Sequence, residues 1–69
     1  MVDKFREELR GLKDLVLAQG AFAYGMLSDA IAALQERDTG LAGRVYEERI
    51  ELAARNLAIE EAALRLIAL

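Results

Sequence analysis

The sequence predicts an all-α protein built as an antiparallel helical hairpin. Three observations lead to this fold class. The 69 residues are 55% hydrophobic and contain no Pro, the apolar residues recur at helical spacing along nearly the whole chain, and the only turn signal is Arg37-Asp38-Thr39-Gly40. A chain of this length forms one small domain at most. We therefore expect a single unit over residues 1–69, with helices at about 3–37 and about 40–68 and a turn at about 38–40.

The first helix is predicted from a row of residues in alternating steps of four and three, which keeps the row on one face of a helix. Asp3 is the expected N-cap, and Glu7 and Glu8 lie near the positive end of the helix dipole. The row consists of Phe5, Leu9, Leu12, Val16, Gln19, Ala23, Met26, Ala30 and Ala33.

The second helix follows a turn in which either Asp38 or Thr39 is the expected cap. Its exposed edge carries two acid-before-base pairs at i,i+4, Glu51 with Arg55 and Glu61 with Arg65. Its inward row has exact heptad spacing and is formed by Val45, Leu52, Ile59 and Leu66.

A lone hairpin of this kind is not expected to be stable, because each helix has an apolar arc wider than one seam. On the first helix the additional apolar residues include Phe22, Leu27 and Ile31, and on the second they include Ile50 and Leu57. Either the chain is the front part of a longer bundle or other copies of the chain complete the bundle. We expect a homo-oligomer in which hairpins complete a bundle of four or more helices.

The composition excludes most enzyme chemistry. The chain has no Cys and no His, so disulfides, zinc fingers, thiol nucleophiles and imidazole bases are impossible. Ser28 and Thr39 are the only aliphatic hydroxyls, and serine-type triads therefore also fail. We expect no catalytic residues, no cofactor and no enzyme activity.

The charge and hydropathy pattern limits the partners in the same way. A net charge of -3 argues against a nucleic-acid binder. The longest uncharged stretch, 15–28, is shorter than the roughly 20 apolar residues of a membrane span, and the mixed charges near the N-terminus do not resemble a signal peptide. We therefore expect a cytoplasmic protein without membrane insertion.

Five segments of the chain form a recognisable order, namely Phe5-x-Glu7-Glu8-Leu9-x-x-Leu12, Gln19-Gly20, Leu27-Ser28-Asp29-Ala30-Ile31-x-Ala33-Leu34, Arg37-Asp38-x-x-Leu41-Ala42-x-Arg44-Val45 and Ile59-Glu60-x-Ala62-x-Arg65-Leu66-Ile67-Ala68. Together they resemble the opening of the PhoU family of phosphate-uptake regulators. The resemblance covers essentially all 69 residues in one register. It implies an all-α, three-helix repeat of which this chain supplies the first two helices.

The resemblance also implies a function. Such proteins signal phosphate sufficiency by contacting the phosphate-transporter ATPase and a membrane sensor histidine kinase, and they are not enzymes. We accordingly expect a PhoU-like regulatory module that acts by protein–protein docking. The alternative is a structural oligomerisation hairpin, a degenerate PhoU fragment with no signalling role.

The chain departs from the family where metal ligands are expected. The resemblance places acids at the positions of Arg49, Ala53, Asn56 and Glu60, and only Glu60 is an acid here. A hard cation needs several oxygen ligands, and the family's third helix, with its Glu-x-x-x-Asp signature, has no counterpart. We expect no tight metal binding, although an oligomer could bring copies of Glu60 together.

The middle of the first helix is the predicted interface. Residues 21–27 are apolar nearly all round, which is typical of a buried helix. The alternative is that Tyr24 only packs at the hairpin's own seam. The candidate interface residues are Gly20, Phe22, Ala23, Tyr24, Gly25 and Met26.

Overall fold

The first helix, α1, spans Lys4–Glu36 in the computed structural model, which describes residues 3–68. Asp3 caps it: its carboxylate accepts hydrogen bonds from the backbone N–H of Phe5 at 3.0 Å and of Arg6 at 3.4 Å. These bonds satisfy two of the N–H groups that a helix leaves unpaired at its start. The predicted N-cap is confirmed.

The turn between the helices consists of Arg37 and Asp38, whereas the sequence predicts residues 38–40. Arg37 adopts the left-handed conformation with φ 52° and ψ 41°, and Asp38 N–H donates to the Ala33 carbonyl at 3.0 Å. The carboxylate of Asp38 accepts from Leu41 N–H at 3.0 Å and so caps the next helix. Of the two expected caps the structure uses Asp38, while Thr39 is already helical.

The second helix, α2, spans Thr39–Ala68 and runs back along α1. Every residue of its predicted heptad row is at least half-buried against α1, namely Val45, Leu52, Ile59 and Leu66. The row on α1 is covered less evenly: Ala33 is buried, but Phe5 and Val16 remain about half exposed, at 49% and 51%. The antiparallel helical hairpin predicted from the sequence is confirmed.

One polar side chain lies within the apolar seam. The Gln19 side-chain amide donates to the Leu52 carbonyl at 3.1 Å and to the side-chain carbonyl of Asn56. Its own oxygen, Oε1, is buried and has no hydrogen-bond partner among the described residues. This contact joins the two helices near their middle.

The hairpin is a long, thin rod with a very small core. It measures 55 × 17 × 12 Å and has a Cα radius of gyration of 16.0 Å, whereas a globular chain of this length has about 11 Å. Within residues 3–68 only Ala33 and Leu66 are buried hydrophobic residues. The oligomer expected to complete the bundle stays a prediction.

Candidate functional site

A second row of residues runs along α1, outside its contact with α2. It has seven positions in steps of four and three, and all seven are exposed. Tyr24 is 75% and Leu34 80% exposed. The row, called here the α1 stripe, consists of Lys13, Leu17, Gly20, Tyr24, Leu27, Ile31 and Leu34.

The helix α2 carries a matching row with the same order of steps. Its seven positions are also all exposed, and Ile67 at its end is 80% exposed. The row, called the α2 stripe, consists of Tyr46, Ile50, Ala53, Leu57, Glu60, Leu64 and Ile67. Each stripe therefore contains one charged residue, a base on α1 and an acid on α2.

Both stripes lie on the same side of the hairpin. A helix turns by about 100° per residue. Each stripe is therefore rotated about its helix axis, relative to the inward row, by roughly a quarter turn or more. The sense of this rotation along the chain is the same on both helices. Because the helices are antiparallel, the same sense of rotation brings both stripes to one side. A groove at the turn end of the hairpin supports this placement, because residues of both helices line it together. They are Ala30, Ala33, Leu34, Ala42 and Val45. We call this side the apolar face.

The opposite side of the hairpin is charged. Here the Arg55 guanidinium lies over the Phe22 ring at 4.2 Å from its centroid and forms an ion pair with Glu51 at 2.9 Å. The predicted Glu51–Arg55 pair is thus confirmed. The predicted Glu61–Arg65 pair is not among the ion pairs within 4.0 Å in residues 3–68. We call this side the charged face.

The structure does not place the six predicted interface residues on one surface. Gly20 and Tyr24 belong to the α1 stripe on the apolar face, and Tyr24 is too exposed to pack at the hairpin's seam. Ala23 and Met26 are half-buried in that seam, whereas Phe22 lies under Arg55 on the charged face. By helical rotation Gly25 also falls on the charged side.

The pattern that defines the apolar face is present in the sequence as a second 4-3 periodicity beside each inward row. Gly20, Ala53 and the two charged residues interrupt the apolar residues of these rows. The periodicity is therefore visible only when small and charged residues are counted as members of the row.

The four positions expected to carry metal ligands do not form a carboxylate site. Arg49 lies over the Tyr46 ring at 4.8 Å from its centroid, and Asn56 is hydrogen-bonded to Gln19 across the seam. Glu60 is exposed. Over residues 3–68 no group of three or more His, Cys, Asp or Glu side chains is placed to hold a metal ion. The expected absence of tight metal binding stays a prediction.

By length and composition alone, α1 qualifies as a candidate membrane span. One 18-residue window has a mean hydropathy of 1.3 and is 6% buried. The helices of soluble proteins that pack in a core can meet the same criterion. The expectation that the chain does not insert into a membrane stays a prediction.

The chain is similar to curated proteins named phosphate-specific transport system accessory protein PhoU. It is 37% identical to the protein of Escherichia coli (strain K12) over 65 residues, which are 94% of this chain and 27% of that protein. The identities to the proteins of Serratia marcescens and Edwardsiella tarda are 35% and 34% over the same shares. The chain therefore spans about a quarter of the length of these relatives. No family model and no solved structure matches it, and the resemblance to PhoU is confirmed by the relatives.

Proposed function

We propose that this chain is a PhoU-like module of phosphate-transport regulation that acts by docking to protein partners and not by catalysis. The observation that carries the proposal is its 37% identity, over 94% of its length, to an accessory protein of a phosphate-specific transport system. The relatives are named as accessory proteins of a transport system, and this name supports a role in contact with transport components.

The chemistry of the chain supports docking over catalysis. The full sequence contains no His and no Cys, which removes the side chains most used as general bases and nucleophiles near neutral pH. The hairpin instead has exposed surfaces that can contact other proteins. It has a charged face of Arg and Glu side chains and an apolar face with large exposed residues such as Tyr24 and Ile67. Exposed apolar patches rimmed by polar residues are typical of protein-interaction sites.

The partners proposed are the cytoplasmic ATPase of the phosphate transporter and the sensor histidine kinase that responds to phosphate. Both come from the resemblance to PhoU. The charged face suits a transient contact of this kind, because charged surfaces raise association rates and give specificity. The proposed location is therefore the cytoplasm, beside the inner surface of the transporter.

Binding to the purified transporter ATPase tests the proposal. The 69-residue chain should bind saturably with a dissociation constant in the micromolar range or tighter. The control is Ala33→Glu, which puts a carboxylate at one of the two most buried positions and should unfold the hairpin. Equal binding of the unfolded control would reveal non-specific adhesion, and no binding of the wild-type chain to either partner would contradict the proposal.

The second candidate function is a structural oligomerisation hairpin without a signalling role. One observation favours it, namely that the apolar face is exposed. It predicts self-association without any binding to the ATPase or the kinase, so the same experiment separates the two functions.

A further inference from the structure

We propose that the apolar face is the interface between two copies of this chain, which pair face to face into a four-helix bundle. The proposal goes beyond docking to transport components, and it does not depend on that function being correct.

The hairpin leaves more area exposed than a globular monomer of its mass. The chain exposes 5630 Å², whereas a folded monomer of its 7.6 kDa mass exposes about 4300 Å². The surplus is about 1300 Å² per chain. A standard protein interface covers roughly 800 Å² on each partner, and permanent dimers cover more. One second copy is therefore enough to cover the surplus.

The two stripes have the spacing of helix-packing surfaces. Each has seven positions in steps of four, three, four, three, four and three, which is the repeat that packs one helix against another in bundles. Small residues stand within the rows, Gly20 on α1 and Ala53 on α2, and a Cβ built on Gly20 would meet no atom within 4 Å. These positions leave room for large side chains from a facing helix, such as Tyr24 and Leu57 of the other copy.

The two stripes are complementary in charge. Leu12 and Ala62 line one groove, and Leu15 and Ile59 line another, so Lys13 and Glu60 lie at about the same height on the hairpin. No ion pair within 4.0 Å joins these two side chains in the described chain. They are the only charged members of the two stripes.

This pair of charges selects one arrangement of the dimer. A two-fold axis parallel to the helices lays α1 of one copy over α2 of the other at equal height. Lys13 of each copy then faces Glu60 of the other, and all neighbouring helices run antiparallel. A two-fold axis perpendicular to the helices would instead bring α1 against α1 and separate these charges. The structure thus points to the first arrangement.

The oligomeric state is tested with the full 69-residue chain by sedimentation equilibrium. We expect a mass twice that of the chain at micromolar concentration. A folded monomer, or an assembly larger than a dimer, would overturn the proposal. A chain that is monomeric in buffer and co-sediments with phosphatidylcholine vesicles would overturn it in favour of a membrane surface.

The face itself is tested with two matched variants of α2. Ala53 and Ala58 are both exposed, but Ala53 belongs to the α2 stripe and Ala58 lines a groove beside Arg55 on the charged face. Ala53→Glu should raise the dimer dissociation constant about 100-fold or more, because it buries an unpaired carboxylate at the interface. Ala58→Glu should leave the dimer unchanged.

Circular dichroism of both variants keeps the comparison valid if folding requires the dimer. Loss of helix together with loss of dimer in Ala53→Glu alone would still support the proposal. Equal effects of the two variants, or a wild-type dissociation constant for Ala53→Glu, would show that the apolar face is not the interface.

The arrangement of the copies is tested by mixing Lys13→Glu with ¹⁵N-labelled Glu60→Lys. Only in the mixed dimer does each position 13 face an opposite charge at position 60 of the other copy. Native mass spectrometry should therefore find more mixed dimers than the half that random pairing gives, with the excess lost at high salt. A random distribution at low salt would overturn this arrangement, since contact within one chain cannot favour mixing.

Discussion

Replacing Gln19 with leucine should stabilise the protein, although the substitution removes the one polar contact between the helices. The contact has two favourable parts, since Gln19 Nε2 donates to the Leu52 carbonyl at 3.1 Å and to the Asn56 side chain. It also has one unfavourable part, because Gln19 Oε1 is buried without a partner among the described residues.

The sizes of these free-energy contributions decide whether the substitution stabilises or destabilises the protein. Losing the two hydrogen bonds costs about 1 kcal/mol each, and the cost is limited because Asn56 is exposed and can return to water. Removing the unpaired oxygen gains roughly 1 to 3 kcal/mol. Burying a leucine side chain in its place gains about 1.5 to 3 kcal/mol at full burial, and less at this half-buried site. The expected net gain is about 1 kcal/mol, which corresponds to about 4 to 8 °C in Tm for a domain of this size.

Urea denaturation followed by circular dichroism measures the change. The protein concentration is held constant, because self-association makes stability depend on concentration. Two controls separate the contributions. Gln19→Ala should destabilise through lost packing, and Asn56→Ala should cost at most about 1 kcal/mol of unfolding free energy, because it removes one hydrogen bond of an exposed side chain. A loss of stability in Gln19→Leu would refute the reasoning and show that the polar contact is worth more than the buried oxygen costs.

Three further predictions concern single sites. Gly25→Ala should stabilise α1 by about 1 kcal/mol in thermal melts, because a Cβ there meets no atom within 4 Å. Gly20→Ala should stabilise the protein less than Gly25→Ala if a second copy covers the apolar face, and equal gains would argue against close packing at Gly20. Asp38→Ala should cost about 1 kcal/mol of unfolding free energy by removing the cap on Leu41 N–H, while Thr39→Ala should cost less, and the reverse order would contradict the assignment of the cap. Calorimetric titration with Mg²⁺, Mn²⁺, Fe²⁺ and Zn²⁺ should show no micromolar binding, since one carboxylate per chain at Glu60 is too few ligands; micromolar affinity that is lost in Glu60→Ala would contradict this.

The sequence by itself determined the helices, the hairpin and the inward row of α2. Val45, Leu52, Ile59 and Leu66 face α1 as their heptad spacing predicts. Their spacing along one helix alone decides that they share a face, whichever element packs against that face. Asp3 is the N-cap for a similarly local reason, since its carboxylate reaches backbone N–H groups two and three residues away.

Only the tertiary structure decided how the remaining apolar residues are shared between two opposite faces. The residues from Gly20 to Met26 form one apolar run in the sequence, yet the structure distributes them among the seam, the apolar face and the charged face. The α1 stripe and the α2 stripe come together for the same reason. Whether two rows on different helices share a side depends on the direction in which the helices run and on the rotation of each about its axis. The contact between the helices fixes both, and that contact joins residues more than thirty positions apart in the chain.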